Sequence, residues 1–237
     1  MNYRNYVYLA ATFLLLSACG QGEPTVDGGL LGIPSGTYAV DKSHTSVTFS
    51  YFHQGLSYPL LRATEIDGEL ELDSNALEKS RTSIAVEVES IRSNLDYFDK
   101  ELASRKFFHA DKYPHITFAT HSYTPLNESL GELIGFVTIR EITKPVVLSV
   151  QINGAMQHPA LNTPVIGFSA SGSLKRSDFG LNRFVPMVGD QVEIRIEAEF
   201  LHGSNEGSAA AVKLATDAIA NADPASLQVS ADFGAEQ

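Results

Sequence analysis

The stretch "QVEIRIEAEFL" at residues 191–201 alternates apolar and polar side chains, and this pattern decides the fold class. Apolar residues from Val192 to Ala198 occupy every second position, and charged residues from Glu193 to Glu199 fill the positions between them. Successive side chains of a β-strand point to opposite faces. The spacing therefore predicts a strand with one buried face and one face in water.

The same two-residue period recurs along most of the chain. It is found at 44–53, 65–73, 82–91, 115–121, 130–140, 145–154 and 165–175. Eight such segments indicate an antiparallel sandwich or barrel. Their polar outer faces favour a barrel, because closing the sheet removes the edges that the strands would otherwise expose. We therefore predict an all-β domain over residues 37–202, built as an eight-stranded antiparallel β-barrel.

One segment, "SNLDYFDKELASRKFFHADKYPHITF" at 93–118, interrupts the strand pattern. Its first half has helical spacing, with Ser93 as the predicted cap and Asp96 in the third position. This predicts a short amphipathic helix near residues 94–106, lying across one barrel end as a lid. The predicted lid and mouth residues are Phe98, Leu102, Phe107 and Phe108.

The first residues have the pattern of a secretory signal. Arg4 precedes an apolar run at 7–16 that is too short to span a bilayer, and small residues follow it. "LSAC" resembles the lipobox of bacterial lipoproteins, which implies a signal peptide at 1–18 and lipidation of Cys19. The alternative is an ordinary cleavable signal. Residues 19–36 are rich in glycine and proline and predict a flexible linker. We expect a lipid-anchored protein on the periplasmic side of the bacterial envelope. Because glycine rather than aspartate follows the cysteine, we expect the anchor to lie in the outer rather than the inner membrane.

Composition excludes several classes of function. Cys19 is the only cysteine, so disulfides and zinc–thiolate sites are not expected in the domain. The net charge is −11 without a cluster of basic residues, so we expect no nucleic-acid binding. The acidic surface also argues against broad contact with anionic headgroups beyond the acyl anchor.

The chain lacks the common signatures of catalysis. His115 and His121 share a strand face, but six residues place them about 20 Å apart, too far for one metal ion. "GFSASG" at 167–172 lacks the last glycine of the G-x-S-x-G motif and precedes no helix. We therefore predict no enzyme, no cofactor and no metal centre.

Four segments in series resemble the YceI-like family of bacterial periplasmic proteins, with the resemblance covering residues 37–201. They are "YAVDKSHTSVTFSYFH" (38–53), the segment at 93–118, "GFVTIREITKPVVLSV" (135–150) and "KRSDFGLN" (175–182). The resemblance implies an extended, lipocalin-like barrel that binds a polyisoprenoid, an isoprenoid quinone or a fatty-acid derivative. Glu141 departs from the family pattern, which usually has glycine before "TKP".

Strand alternation and the resemblance together give candidate ligand-binding residues. The predicted apolar lining is Val47, Phe49, Tyr51, Ile84, Val86, Ile116, Phe118, Phe136, Phe168, Ile194 and Ile196. The candidates for contact with a polar head group are His44, His53, Arg176 and Asp178. For each apolar residue the alternative is core packing, and for each polar residue it is a hydrogen-bond network that closes the barrel end.

The alanine-rich tail at 203–237 predicts some helix, with Val212, Ala215 and Ile219 on one face. A weakly docked appendage and a partner-binding helix are both consistent with it. The predicted function is a lipid-anchored carrier or binding protein for a long apolar amphiphile. The alternatives are an envelope-stress or assembly module acting through its surface or tail, and an enzyme acting on small lipophiles. Homodimer formation is left open.

Overall fold

The computed structural model describes residues 32–203 and 205–229. The predicted signal peptide, Cys19 and most of the predicted linker lie outside the described residues. The strands are β1 (Gly36–Val40), β2 (Ser46–His53), β3 (Leu60–Ala63), β4 (Ile66–Leu72), β5 (Arg81–Glu87), β6 (Ile91–Arg92), β7 (His115–Pro125), β8 (Leu130–Ile139), β9 (Ile142–Gln157), β10 (Pro164–Lys175) and β11 (Val188–His202). The α-helices are α1 (Asp96–Ala103) and α2 (Glu206–Ala220).

The strands form one closed antiparallel sheet. β4, β5, β7, β8, β9, β10 and β11 follow one another in pairing order, and β1 pairs with both β4 and β11 to close the barrel. Three barrel strands are broken by short interruptions: β1 continues as β2, β3 continues as β4, and β5 continues as β6. The barrel therefore has eight strands. The predicted eight-stranded antiparallel barrel is confirmed. Its longest strand, β9, has 16 residues and spans about 54 Å.

The antiparallel order sorts the connections between strands to two ends of the barrel. The α1 end is formed by four connections: Gln54–Pro59, Ser93–Pro114 with helix α1, Arg140–Glu141 and Arg176–Met187. The base is formed by the start of β1 and by the connections β4–β5, β7–β8 and β9–β10.

Apolar residues form one packed cluster in the interior near the base. Tyr38 and Ile166 are both 0% exposed, and they pack in one cluster with Ile33 and Phe200. The Tyr38 hydroxyl donates a hydrogen bond to the carbonyl of Pro34 at 2.7 Å. The chain entering β1 is therefore packed into this end of the barrel.

Helix α1 lies at the predicted place but is shorter than predicted. It begins at Asp96 and ends at Ala103. Ser93 does not cap the helix at Asp96; its backbone N–H and its Oγ both donate to Asp99 Oδ1, at 2.7 and 2.6 Å. Leu102 on the inner face of α1 packs in a cluster with Leu61 and Ile91.

Helix α2 packs on the outside of the barrel, against β4, β5, β7 and β8. Its buried face carries Ser208, Ala211 and Ala215, and Ser208 Oγ donates to Glu69 Oε2 at 3.0 Å. The described part of the tail forms a helix that packs on its own domain. Within the described ranges, neither helix has the length and apolar composition needed to cross a bilayer.

Candidate functional site: an apolar cavity inside the barrel

The barrel encloses a cavity of about 470 Å³, which is within the size range of small-molecule sites. All of the predicted lining residues except Phe136 lie in its wall, and so do the four predicted lid and mouth residues. Neighbouring strands place these side chains opposite one another. Ile84 pairs with Phe118, and Phe49 pairs with Ile194. Cross-strand pairs of this kind stabilise the sheet from the inside while they form the wall.

Glycines in the wall leave space for aromatic rings. A Cβ on Gly135 would lie 2.2 Å from the ring of Phe118, and a Cβ on Gly131 would lie 2.3 Å from the ring of Tyr123. Both rings therefore lie against bare backbone on β8, and both form part of the cavity wall. A side chain at either glycine would collide with the ring that packs on it.

The prediction that Phe136 lines the cavity is wrong. Val137 and Ile139 line it, which places Phe136 on the outer face of β8. There Phe136 is buried and its ring lies edge-on to His121 at 5.3 Å. Four consecutive residues from Phe136 to Ile139 are buried, so both faces of this strand are covered and the sequence pattern could not tell them apart.

Exposed residues line the cavity at the α1 end. Phe98 and Phe107 meet there edge-to-face at 6.2 Å, and the exposed side chains of Phe184 and Met187 complete the wall. Arg183 lies nearby, with its guanidinium 4.6 Å from the ring of Phe184. The sequence analysis missed Arg183, Phe184 and Met187, because they lie in a connection without any periodic pattern.

Arg176 lies in the cavity wall and holds the β10–β11 connection in place. Its guanidinium donates four hydrogen bonds of 2.5 to 2.8 Å to the carbonyls of Leu181, Arg183, Val188 and Gly189. Burial lowers the pKa of Arg176 from its ordinary value. These contacts fit the alternative that we gave for this residue, a network that closes the barrel end.

Of the other three polar candidates, only His53 shares the cavity wall with Arg176. His53 lies in the cavity wall at the α1 end. Asp178 is exposed and outside the cavity wall, so the structure does not support its prediction as a head-group contact. The carboxylate beside Arg176 is instead Asp190, which accepts hydrogen bonds from the backbone N–H and the hydroxyl of Ser177 at 2.9 and 2.7 Å.

His44 also lies outside the cavity wall, and the structure does not support its prediction as a head-group contact. It lies where β1 and β2 are interrupted, and its Nδ1 is 2.7 Å from Asp41 Oδ2 and 3.9 Å from Glu199 Oε2. The hydrogen bond to Asp41, together with the negative charges of Asp41 and Glu199, raises the pKa of His44. These three side chains have metal-ligand chemistry, with ligand atoms within 4.8 Å of one another. Their mutual hydrogen bond and ion pairs account for the arrangement without an ion.

Two tyrosine hydroxyls give the cavity a polar contact near each end. Tyr51 lies toward the α1 end and Tyr123 toward the base, and burial raises the pKa of both. Neither hydroxyl makes a hydrogen bond to another residue of the described chain. Each is therefore free to bind a polar group of a molecule inside the barrel.

Comparison with known proteins identifies the family of this barrel. The model of the YceI-like domain matches residues 38–200. A UPF0312 protein from Ectopseudomonas mendocina is 27% identical over 164 residues, which cover 68% of this chain and 85% of that protein.

Two solved structures share the fold. The crystal structure of Burkholderia cenocepacia BcnA aligns with a TM-score of 0.59 at 19% identity, covering 68% of this chain and 98% of that one. A polyisoprenoid-binding domain from Saccharophagus degradans aligns with a TM-score of 0.56 at 10% identity, covering 69% of this chain and 97% of that domain. The cavity-containing barrel, its four sequence motifs and the match over residues 38–200 together show that this chain belongs to the YceI-like domain family.

Proposed function

We propose that this chain is a binding protein or carrier for a long apolar amphiphile, which it holds inside the barrel. The observation that carries the proposal is the cavity, with its apolar wall, exposed lining residues at the α1 end and two free tyrosine hydroxyls. A polyisoprenoid, an isoprenoid quinone or a fatty-acid derivative would suit it. The name of the Saccharophagus degradans domain, which shares this fold, supports a polyisoprenoid within that class.

Because the wall is apolar, ligand affinity should depend more on the length of the apolar chain than on its chemical structure. Each CH₂ group moved from water into the cavity contributes about 0.8 kcal/mol, so about ten of them contribute about 8 kcal/mol before the costs of binding. Such contacts are non-directional. Discrimination between ligands therefore falls to the head group, near Tyr51, His53 and the mouth.

We also propose that the protein works on the periplasmic side of the envelope, held by an acyl anchor on Cys19 and preferably at the outer membrane. The support is the signal-like start of the sequence, the lipobox-like "LSAC" and the glycine-rich segment that follows. Mass spectrometry of the N-terminal peptide from membrane fractions tests this. A diacylglyceryl adduct on Cys19 is the expected result, and an unmodified cysteine would contradict it.

Native mass spectrometry after mild extraction tests the ligand proposal. We expect a co-purifying apolar adduct of lipid mass, and organic extraction should release it for identification. Ala170→Trp supplies the critical comparison, because Ala170 lines the cavity and a tryptophan there would occupy the ligand space. Ser171→Trp is the matched control, since Ser171 is the next residue on β10 and is exposed.

We expect Ala170→Trp to lose the adduct and Ser171→Trp to keep it, with both variants folded by circular dichroism. An adduct retained by Ala170→Trp would place the lipid elsewhere. A wild-type protein without any adduct, and without uptake of added polyprenol, would contradict the proposal.

A further inference from the structure

The α1 end carries exposed apolar side chains grouped on one side of the mouth. We define this group as the rim patch: Leu56, Tyr58, Leu60, Tyr97, Phe184 and Met187. They come from the β2–β3 connection, the start of β3, helix α1 and the β10–β11 connection. These elements are neighbours because β11, β2, β3 and β6 follow one another in the sheet. Leu56 is 82% exposed and Leu60 is 64% exposed, so water contacts most of this apolar surface.

Apolar surface grouped in this way usually marks a contact site. The rim patch is also continuous with the cavity, because Phe184 and Met187 belong to both. A molecule leaving the barrel over these two side chains reaches the patch without crossing open water. The occupant that best fits this continuity is the source of the lipid itself.

Charge along the barrel supports the same occupant. The four connections of the α1 end contain seven Lys/Arg and six Asp/Glu, a net charge of +1, whereas the rest of the chain carries −12. Charges farther than a Debye length of about 8 Å from a contact are largely screened at physiological salt. A surface in contact with the α1 end therefore interacts with the charges of this end and only weakly with those of the acidic remainder.

Several basic side chains beside the rim patch are available to bind anions. Arg62, Lys100 and Arg105 are exposed and make no ion pair with any residue of 32–203 or 205–229. Lys and arginine side chains extend their charges toward lipid phosphates while their apolar stems lie along apolar surface. The net charge of the whole chain, −11, hides this difference between the two ends.

We propose that the α1 end docks on a bilayer containing anionic phospholipid, with the rim patch inserted into the interface and the cavity mouth facing the lipid. This contact is additional to the proposed acyl anchor. It also goes beyond the proposed ligand binding, which requires no particular orientation on a membrane. The base then faces away from the bilayer.

Site-specific fluorescence on the full chain tests this orientation. In a Cys19→Ser background, which removes the only native thiol, an environment-sensitive label is attached at Leu56→Cys or Met187→Cys. Leu126→Cys and Leu161→Cys are the matched controls, since these leucines are 71% and 57% exposed but lie at the base. The probes are phosphatidylcholine vesicles with and without phosphatidylglycerol.

We expect the labels at 56 and 187 to brighten and shift to the blue on phosphatidylglycerol vesicles, and nitroxide lipids to quench them. The response should weaken with added salt and on phosphatidylcholine alone, and the labels at 126 and 161 should not respond. Equal responses at both ends, or none at the α1 end, would overturn the proposal. A change that needs no vesicles and grows with protein concentration would assign the patch to a second copy of the chain and overturn it too.

A charge variant gives an independent readout. Lys100→Gln should lower the vesicle partition coefficient about fivefold, the effect of one basic residue near an anionic surface. Lys79→Gln, at the base, should leave it unchanged. Equal effects of the two variants would contradict docking through the α1 end. No vesicle enters the ligand experiment above, so failure of docking and failure of ligand binding are distinguishable.

Discussion

Replacement of Arg176 by methionine removes the group that organises the cavity mouth. The guanidinium donates two hydrogen bonds to carbonyls of the β10–β11 connection and two to carbonyls at the start of β11, and no other side chain in the described residues replaces them. A hydrogen bond within a protein contributes about 0.5 to 1.5 kcal/mol net, and these carbonyls are only partly buried, so water can satisfy some of them. We therefore expect Arg176→Met to lower the free energy of unfolding by about 2 to 4 kcal/mol.

Urea unfolding, followed by circular dichroism, measures this change. Arg195→Met is the matched control, because Arg195 is exposed and pairs only with Glu197 on the surface. A surface ion pair contributes at most about 1 kcal/mol, so the control should be nearly neutral. Hydrogen exchange should also rise in the segment 177–187 of Arg176→Met at native conditions. Equal stability losses in the two variants, with unchanged exchange at 177–187, would refute this account of Arg176.

Three further predictions follow from single contacts. Gly135→Ala should cost about 1 to 3 kcal/mol in the free energy of unfolding because its Cβ collides with the Phe118 ring; adding Phe118→Ala should recover part of the loss, and a neutral Gly135→Ala would contradict the tight contact. Ala211→Asp buries a charge under helix α2 and should lower the melting temperature by several degrees, roughly the effect of 1 to 2 kcal/mol. Ala210→Asp, which changes the exposed neighbouring residue, should leave the melting temperature unchanged. Equal melting temperatures of the two variants would argue against a packed helix. Because the pKa of His44 is raised in the folded state, this residue stabilises the fold fully below its unfolded pKa, and the stabilisation is lost as the pH rises through its folded pKa. His44→Gln should therefore lower the urea midpoint more near about pH 6 than near about pH 9. A pH-independent difference would contradict this.

The candidate site shows how far sequence reasoning extends. Inward residues were predicted correctly where a strand has one clearly polar face, as for Val47 to Tyr51 on β2. The prediction was wrong for Phe136 on β8, where residues on both faces are buried. Alternation reports burial of one face, so it loses its information when neighbouring elements cover both.

The polar candidates show a second limit. Arg176 and Asp178 are close in sequence, but only Arg176 lies in the cavity wall. Its partners are carbonyls as far along the chain as Gly189. Backbone acceptors have no sequence signature, so a network built from them could not be predicted from residue types.

The sequence by itself determined the barrel, its number of strands, most of the apolar wall and the position of the short helix at one end. These follow from local rules, because the direction of a side chain depends on the backbone of its own strand and burial selects apolar residues. The tertiary structure alone decided which connections meet at the α1 end, how Arg176 holds the mouth, where helix α2 packs, and that a chain of net charge −11 has one end that is nearly neutral and apolar. These depend on contacts between residues far apart in the chain, and antiparallel pairing across the closed sheet brings such residues together.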